Sequence, residues 1–97
     1  MSLSSKNPVK IHKKTWPEYF QAVLDGKKNF DLRLADWECK EGDILVLEEW
    51  DPETKAYTGR TLERNVTYRK VFKMDQLFFS EEDIKKYGLQ VMSLDKT

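Results

Sequence analysis

The segment from Gly26 to Asp36, GKKNFDLRLAD, gathers side chains that are suited to holding a ligand. Arg33 offers a planar fork of donors, Asp31 a pair of acceptors and Lys28 a compact cation. In an extended segment, Asp31 and Arg33 share one face because side chains alternate between faces. If a loop or helix covers that face, it forms a pocket with both charge signs, suited to a planar polar ligand. The predicted ligand-binding residues are Gly26, Lys27, Lys28, Asp31, Arg33 and Trp37.

A second interpretation of this segment stays open, because exposed charged residues are common on protein surfaces. Under it, the charges are solvated and bind nothing. Trp37 is equally open, since a loop tryptophan either stacks on a ligand or packs on the core. We expect Trp16 and Trp50 to lie in the core. We expect His12 to be structural or solvent-facing and Cys39 to be a small buried side chain.

The composition excludes several classes of function. Seventeen basic and seventeen acidic residues give a formal net charge of zero, which argues against a large non-specific nucleic-acid footprint. One cysteine and one histidine provide neither an internal disulfide nor a metal site, so we predict no metal and no cofactor. No apolar run is long enough for a membrane span, and we expect a cytoplasmic monomer.

Although the net charge is zero, residues of one charge sign are clustered in parts of the chain. The basic side chains between residues 60 and 73 form either a stripe that follows a phosphate backbone or exposed charges on an edge strand that discourage aggregation. These are Arg60, Arg64, Arg69, Lys70 and Lys73. The acidic stretch from Glu48 to Glu53 is a candidate surface for a protein partner.

The first half of the chain predicts a strand, a helix and a second strand. Val9 to His12 alternates apolar and polar residues, as a short strand does. Thr15 and Glu18 have the spacing of a capping box, with Pro17 in the first turn. The apolar spacing of Trp16, Phe20, Val23 and Leu24 predicts one buried helix face, and Gly26 predicts the stop. Asn29 to Leu34 is the predicted second strand.

The second half predicts a hairpin, a helix and a last strand. After the Gly42-Asp43 turn, Ile44 to Leu47 is continuously apolar, which indicates a central strand buried on both faces. Asp51 to Gly59 is the predicted hairpin loop, and the return strand runs from Arg60 to Arg69. Ser80 caps a helix that ends near Gly88, and Gln90 to Leu94 is the last strand. The fold class is α+β, a small curved sheet or β-barrel with two short helices.

The spacing of these residues resembles the ASCH domain family. Its pattern G-x-K-x-x-[E/D]-x-R matches Gly26, Lys28, Asp31 and Arg33, and its G-D-x-[IL] matches Gly42 to Leu45. The resemblance runs from about His12 to Arg69, within a bacterial and archaeal ASCH-like branch of unknown function. It implies a PUA-like domain over residues 9–97. From the sequence at the terminus we expect residues 1–8 to be disordered.

The resemblance implies two classes of function, and a third follows from charge. Many PUA-like domains bind RNA or modified nucleosides, which is the leading hypothesis here. Some small ASCH proteins are amidohydrolases that deacetylate N4-acetylcytidine with a lysine, a threonine and a glutamate. Lys28 falls at the lysine, whereas Asp31 stands where those enzymes have the threonine and is a candidate general base toward water. Glu81 and Glu82 are placed only by position. The third hypothesis is a protein-interaction module that uses the acidic stretch.

Overall fold

The computed structural model describes residues 8–95. In this range the chain forms three strands, two α-helices and one turn of 3-10 helix. They are, in order, β1 (Lys10–Thr15), α1 (Pro17–Leu24), β2 (Ile44–Asp51), β3 (Ala56–Asn65), the 3-10 turn (Met74–Gln76) and α2 (Glu81–Tyr87). The predicted disorder of residues 1–8 falls, except for Pro8, outside the described residues.

The three strands form one mixed, open sheet with β2 in the middle. β1 pairs with β2 in parallel, Lys10 opposite Ile44 and Thr15 opposite Glu49. β3 pairs with β2 in antiparallel, and the register shifts between Glu48 and Trp50. The α+β class is therefore confirmed, whereas the sheet of the described residues is open rather than closed into a barrel.

The core lies between α1 and the sheet. Its buried members come from α1, β2 and β3: Phe20, Val23, Leu45, Leu47 and Leu62. Phe20 is 1% exposed, which makes it the centre of this cluster. Ile11, Trp37 and Val66 pack against the core with part of their surface in solvent. The continuous apolar run of β2 is explained by burial on both faces, since Leu45, Val46 and Leu47 are all buried.

The start of α1 differs from the prediction. Its N-cap is Trp16, whose side chain makes no capping hydrogen bond within the described chain. Thr15 is instead the last residue of β1, where it is buried. Its hydroxyl accepts a hydrogen bond from Arg33. Trp16 is 51% exposed and Leu24 is 46% exposed, so the predicted apolar face of the helix is buried only at Phe20 and Val23.

The predicted stop of α1 at Gly26 is confirmed, as are the predicted Ser80 cap of α2 and its end near Gly88. Gly26 has φ +79°, a left-handed conformation that strongly favours glycine, and it ends the chain reversal after α1. At α2 the Ser80 hydroxyl accepts a hydrogen bond from the Asp83 amide at 3.1 Å. This is the N-cap geometry that satisfies a free amide of the first turn.

Two predicted strands are wrong. Segments 29–34 and 90–94 belong to no strand, although the first alternates apolar and polar residues. Alternation indicates an extended segment but does not supply a neighbouring strand to pair with. The two segments do lie side by side, because the Asn29 amide donates to the Ser93 hydroxyl at 3.1 Å.

The hairpin loop is shorter than predicted, and the return strand begins earlier in the chain. Residues 52–55 form the turn, with Lys55 at φ +58°, so β3 begins at Ala56 and ends at Asn65. The predicted return strand from Arg60 to Arg69 therefore starts and ends too late.

The Gly42-Asp43 turn ties three parts of the chain together. The Gly42 amide donates to the Val66 carbonyl, and the Val66 amide donates to the Asp43 carbonyl. The two carboxylate oxygens of Asp43 accept from the backbone amides of Val9 and Lys40. The G-D-x-[IL] part of the motif thus fixes the start of β1 and the end of β3.

Candidate functional site

A cavity of about 410 Å³ lies between the end of α1, the sheet and the segments on either side. Its apolar wall is formed by side chains of the core and the two flanking segments: Val23, Leu24, Phe30, Leu34, Ala35, Trp37, Cys39, Leu45, Leu47, Val66, Tyr68 and Val71. Its polar lining is Lys28, Asn29, Asp31, Arg33, Arg64, Asn65, Arg69 and Lys70. This volume lies within the range of small-molecule pockets.

All the predicted site residues except Lys27 line this cavity. Gly26 forms part of the wall at the reversal after α1. Lys27 is exposed and lies outside the lining, so the structure does not bring it to the others. Glu81 and Glu82 lie on α2 and do not contribute to the cavity either.

Arg33 fixes the segment to the end of β1. Its Nε donates to Asp31 Oδ2 at 2.5 Å, Nη1 to the Lys14 carbonyl at 3.0 Å and Nη2 to the Thr15 hydroxyl at 3.0 Å. The side chains of Arg33 and Asp31 are 22% and 23% exposed. The guanidinium is therefore committed to the fold, and Asp31 balances its charge.

Lys28 lies over the apolar wall with its ammonium in a partly dry environment. Its Nζ donates to the Phe30 carbonyl at 2.8 Å and lies 4.7 Å from the centre of the Phe30 ring. Burial lowers the pKa of Lys28, Asp31 opposes that shift and Arg33 adds to it. A larger fraction of Lys28 is therefore neutral at a given pH than for a lysine in water.

Trp37 packs on the core and also lines the cavity. The Lys13 ammonium lies 3.9 Å from the centre of its ring. This distance is typical of a cation–π contact. Both interpretations of Trp37 thus retain support, because one ring both packs on the core and borders the cavity.

The basic residues after position 60 do not form one stripe. Arg64, Arg69 and Lys70 line the cavity, whereas Arg60 and Lys73 do not. Arg60 instead binds the buried carboxylate of Glu49, with Nε to Oε1 at 2.9 Å and Nη2 to Oε2 at 3.0 Å. Among the described residues, Arg69 and Lys70 form neither a hydrogen bond nor an ion pair with a protein side chain.

Tyr68 and Asn65 line the cavity without having been predicted as site residues. Tyr68 is 75% exposed. The run Tyr68-Arg69-Lys70, an aromatic followed by two cations, is the pattern in the sequence that indicates this wall.

The acidic stretch is partly committed to internal contacts. Glu48 Oε2 lies 3.1 Å from His12 Nδ1, and Glu49 accepts from Thr58 and Arg60. Asp51 Oδ1 also accepts from the Glu53 amide at 2.9 Å, so three of the four carboxylates of the predicted protein-binding surface have contacts within the fold. Hydrogen bonds from Arg60 and then Thr58 lower the pKa of Glu49.

Cys39 is buried beside the cavity, and burial raises the pKa of its thiol. It is thus a packing residue rather than a nucleophile. Within residues 8–95, no group of three or more His, Cys, Asp or Glu side chains is arranged to hold a metal ion. No helix in the same range is long and apolar enough to cross a membrane.

A comparison with protein families places these features in a wider group. The family model described as "Domain of unknown function (DUF3850)" matches residues 11–79, more than half of the chain. The chain belongs to the DUF3850 family. The DUF3850 match includes every residue that lines the cavity, and it ends before α2.

A curated relative comes from a bacteriophage. The chain is 41% identical over 59 residues to an uncharacterized 12.9 kDa protein in the GpA 3′ region of Escherichia phage P2. The match covers 61% of this chain and 49% of the phage protein. The chain thus matches about half the length of that relative.

Proposed function

We propose that this DUF3850 domain is an RNA or modified-nucleoside binding domain of the ASCH, PUA-like type. One observation carries the proposal: the cavity joins a wall of apolar and aromatic side chains to Arg69 and Lys70, which form no salt bridge with another described residue. A nucleotide has the matching chemistry, a flat base with an apolar face and an anionic phosphate.

In this proposal the base stacks on the aromatic lining of the cavity, which is formed by Phe30, Trp37 and Tyr68. Aromatic side chains offer stacking surfaces for single-stranded bases. Asn65 and Asn29 add amide groups to the same lining. Amides both donate and accept hydrogen bonds, as recognition of a base edge requires.

The phosphate fits the wall that carries Arg64, Arg69 and Lys70. Arg64 lies near the end of β3, and Arg69 and Lys70 follow that strand within five residues, so the three cations are close together in the chain. A local concentration of cations attracts phosphates even though the formal net charge of the protein is zero.

The proposal is tested by titrating a fluorescein-labelled random-sequence single-stranded RNA hexamer over a range of salt. We expect measurable binding at low salt for the wild type. The double variant Arg69→Ala/Lys70→Ala removes two phosphate contacts. It should reduce the magnitude of the slope of log K against log salt by about 1.4, at about 0.7 per contact on a single strand.

The matched control is Lys85→Ala/Lys86→Ala, which removes the same charge from the last turn of α2, outside the cavity. It should leave the slope nearly unchanged. No binding of the hexamer by the wild type, or equal losses in both double variants, would count against the proposal.

A second function, hydrolysis of an N4-acetylcytidine-like nucleoside, is favoured by one observation at Lys28. Its lowered pKa within a ligand-sized cavity is what a lysine base or nucleophile requires. Asp31 stands where the related enzymes have a threonine, and its Oδ2 is already bonded to Arg33. We therefore place binding ahead of catalysis.

The test of the hydrolase is release of cytidine and acetate from N4-acetylcytidine. The rate should rise with pH towards the lowered pKa of Lys28, because only the neutral amine is reactive. Lys28→Ala should abolish release, and Lys27→Ala, its exposed neighbour outside the cavity, should not. A wild-type protein that releases nothing between pH 6 and 9 eliminates this function.

A further inference from the structure

A second cavity lies on the other side of segment 28–33. Its volume is about 650 Å³, and it opens between the end of β1, the start of α1 and the C-terminal segment. It is lined by Lys14, Thr15, Trp16, Tyr19, Lys28, Phe30, Asp31, Leu32, Arg33 and Val91.

Two aromatic side chains of this cavity are exposed although the sequence predicts one of them in the core. Trp16 is 51% exposed and Tyr19 is 48% exposed. The two residues are three positions apart at the start of α1, a spacing that places side chains on one side of a helix. About half of the surface of each residue is therefore accessible to a ligand in this cavity.

The two cavities share the wall that carries Lys28, Phe30, Asp31 and Arg33. Arg33 holds this wall in place through its bonds to Lys14 and Thr15. The two cavities therefore lie on either side of one short segment, and Lys28 lines both.

We propose that Trp16 and Tyr19 form a stacking platform for a neighbouring nucleotide of the same RNA strand. The inference rests on the proposed function and narrows it from a free nucleoside to a single strand that occupies both cavities. The chemistry of the second cavity agrees, since it combines two exposed rings with two lysines, Lys14 and Lys28. Stacking on aromatic rings beside cations is how single strands are bound without strict sequence preference.

The test compares the RNA hexamer with the four nucleoside 5′-monophosphates, which can occupy only one cavity at a time. Trp16→Ala/Tyr19→Ala should weaken hexamer binding at least about fivefold, the lower end of the effect of removing a stacking ring. The affinity for the monophosphates should stay within twofold of the wild type. The matched control is Tyr57→Ala, which removes a tyrosine that is 57% exposed on the hairpin.

Trp16→Phe keeps an aromatic ring and should retain most of the hexamer affinity. This variant separates the loss of a stacking ring from a loss of the folded structure. Hexamer affinity that is unchanged in the double variant overturns the platform, while monophosphate binding leaves the proposed function standing. Equal losses for hexamer and monophosphates also overturn it, because the rings would then act on the first cavity. A wild type that binds neither probe refutes both proposals.

Discussion

Arg33 and Lys28 lie five residues apart and have different roles in the same wall. All three nitrogens of the Arg33 guanidinium are bonded to protein acceptors, on Asp31, Lys14 and Thr15. Among residues 8–95 the Lys28 ammonium donates to one acceptor, the Phe30 carbonyl, and Lys28 lines both cavities. The arginine of the motif is therefore a positioning residue, and the lysine is the group that can meet a ligand.

Arg33→Ala should lower the free energy of unfolding by about 2–3 kcal/mol, because it leaves the buried Thr15 hydroxyl and the Lys14 carbonyl without their charged donor. Arg33→Lys should recover only part of this loss, since an ammonium cannot reproduce a planar fork. Urea denaturation followed by circular dichroism measures both. Lys27→Ala is the control and should change stability little. Unaltered stability with lost RNA affinity would show instead that Arg33 contacts the ligand.

At the scale of elements, Arg60 of β3 joins the buried carboxylate of Glu49 in β2 to α1. Glu49 is 5% exposed at the irregular part of β2 and accepts from Thr58 and Arg60. The Arg60 guanidinium also donates to Gln21 on α1 and lies 4.9 Å from the centre of the Phe20 ring. The network thus connects the hairpin to the helix that borders both cavities.

The Glu49 network should make stability depend on acid pH. Because hydrogen bonds lower its pKa in the folded state, the stabilisation is complete above the ordinary value of 4.5 and is lost as pH falls through the lowered folded value. Thermal unfolding between pH 7 and 3 measures this. Glu49→Gln should unfold at a lower temperature at pH 7 and lose part of the pH dependence.

Glu48→Gln is the control for this series, since it alters the neighbouring glutamate, which pairs with the exposed His12. It should leave most of the acid dependence in place. A Glu49→Gln variant with the same pH profile as the wild type would contradict the role assigned to the network.

The sequence predicts elements well where local chemistry decides them. The helix over Phe20 and Val23, its stop at Gly26, the apolar central strand and the Ser80 cap all follow from short-range rules. Predictions fail where a distant partner decides. The hydroxyl of Thr15, predicted to cap α1, instead accepts a hydrogen bond from Arg33, eighteen residues away. Segment 29–34 is held by the Arg33 side chain rather than by the hydrogen bonds of a sheet.

The same distinction applies to the candidate site. The motif residues were recognisable because they are close in sequence, and the structure places them around one cavity. The opposite wall, with Tyr68, Arg69 and Lys70, depends on the turn at Gly42-Asp43 that positions the chain after β3. Exposure of Trp16 was not predictable from helical spacing, which does not specify the width of the buried face.

At the scale of the whole molecule, the ordered core is small and the chain around it is spread out. The radius of gyration is 16.0 Å, against about 12 Å for a compact chain of this length. The buried cluster lies within α1, β2 and β3, while most large apolar side chains after residue 66 are exposed. The cavity lies where the core meets these outer segments, so one wall comes from the core and the other from segments outside it.

The central claim is that RNA binds in this cavity, and amide chemical shifts measured while the unlabelled hexamer is added test it most directly. We expect the largest shifts at Gly26, Lys28, Val66 and Arg69, together with the indole proton of Trp37, and little change in the hairpin turn at residues 52–55. Shifts confined to that turn or to α2, with none around the cavity, would contradict the account.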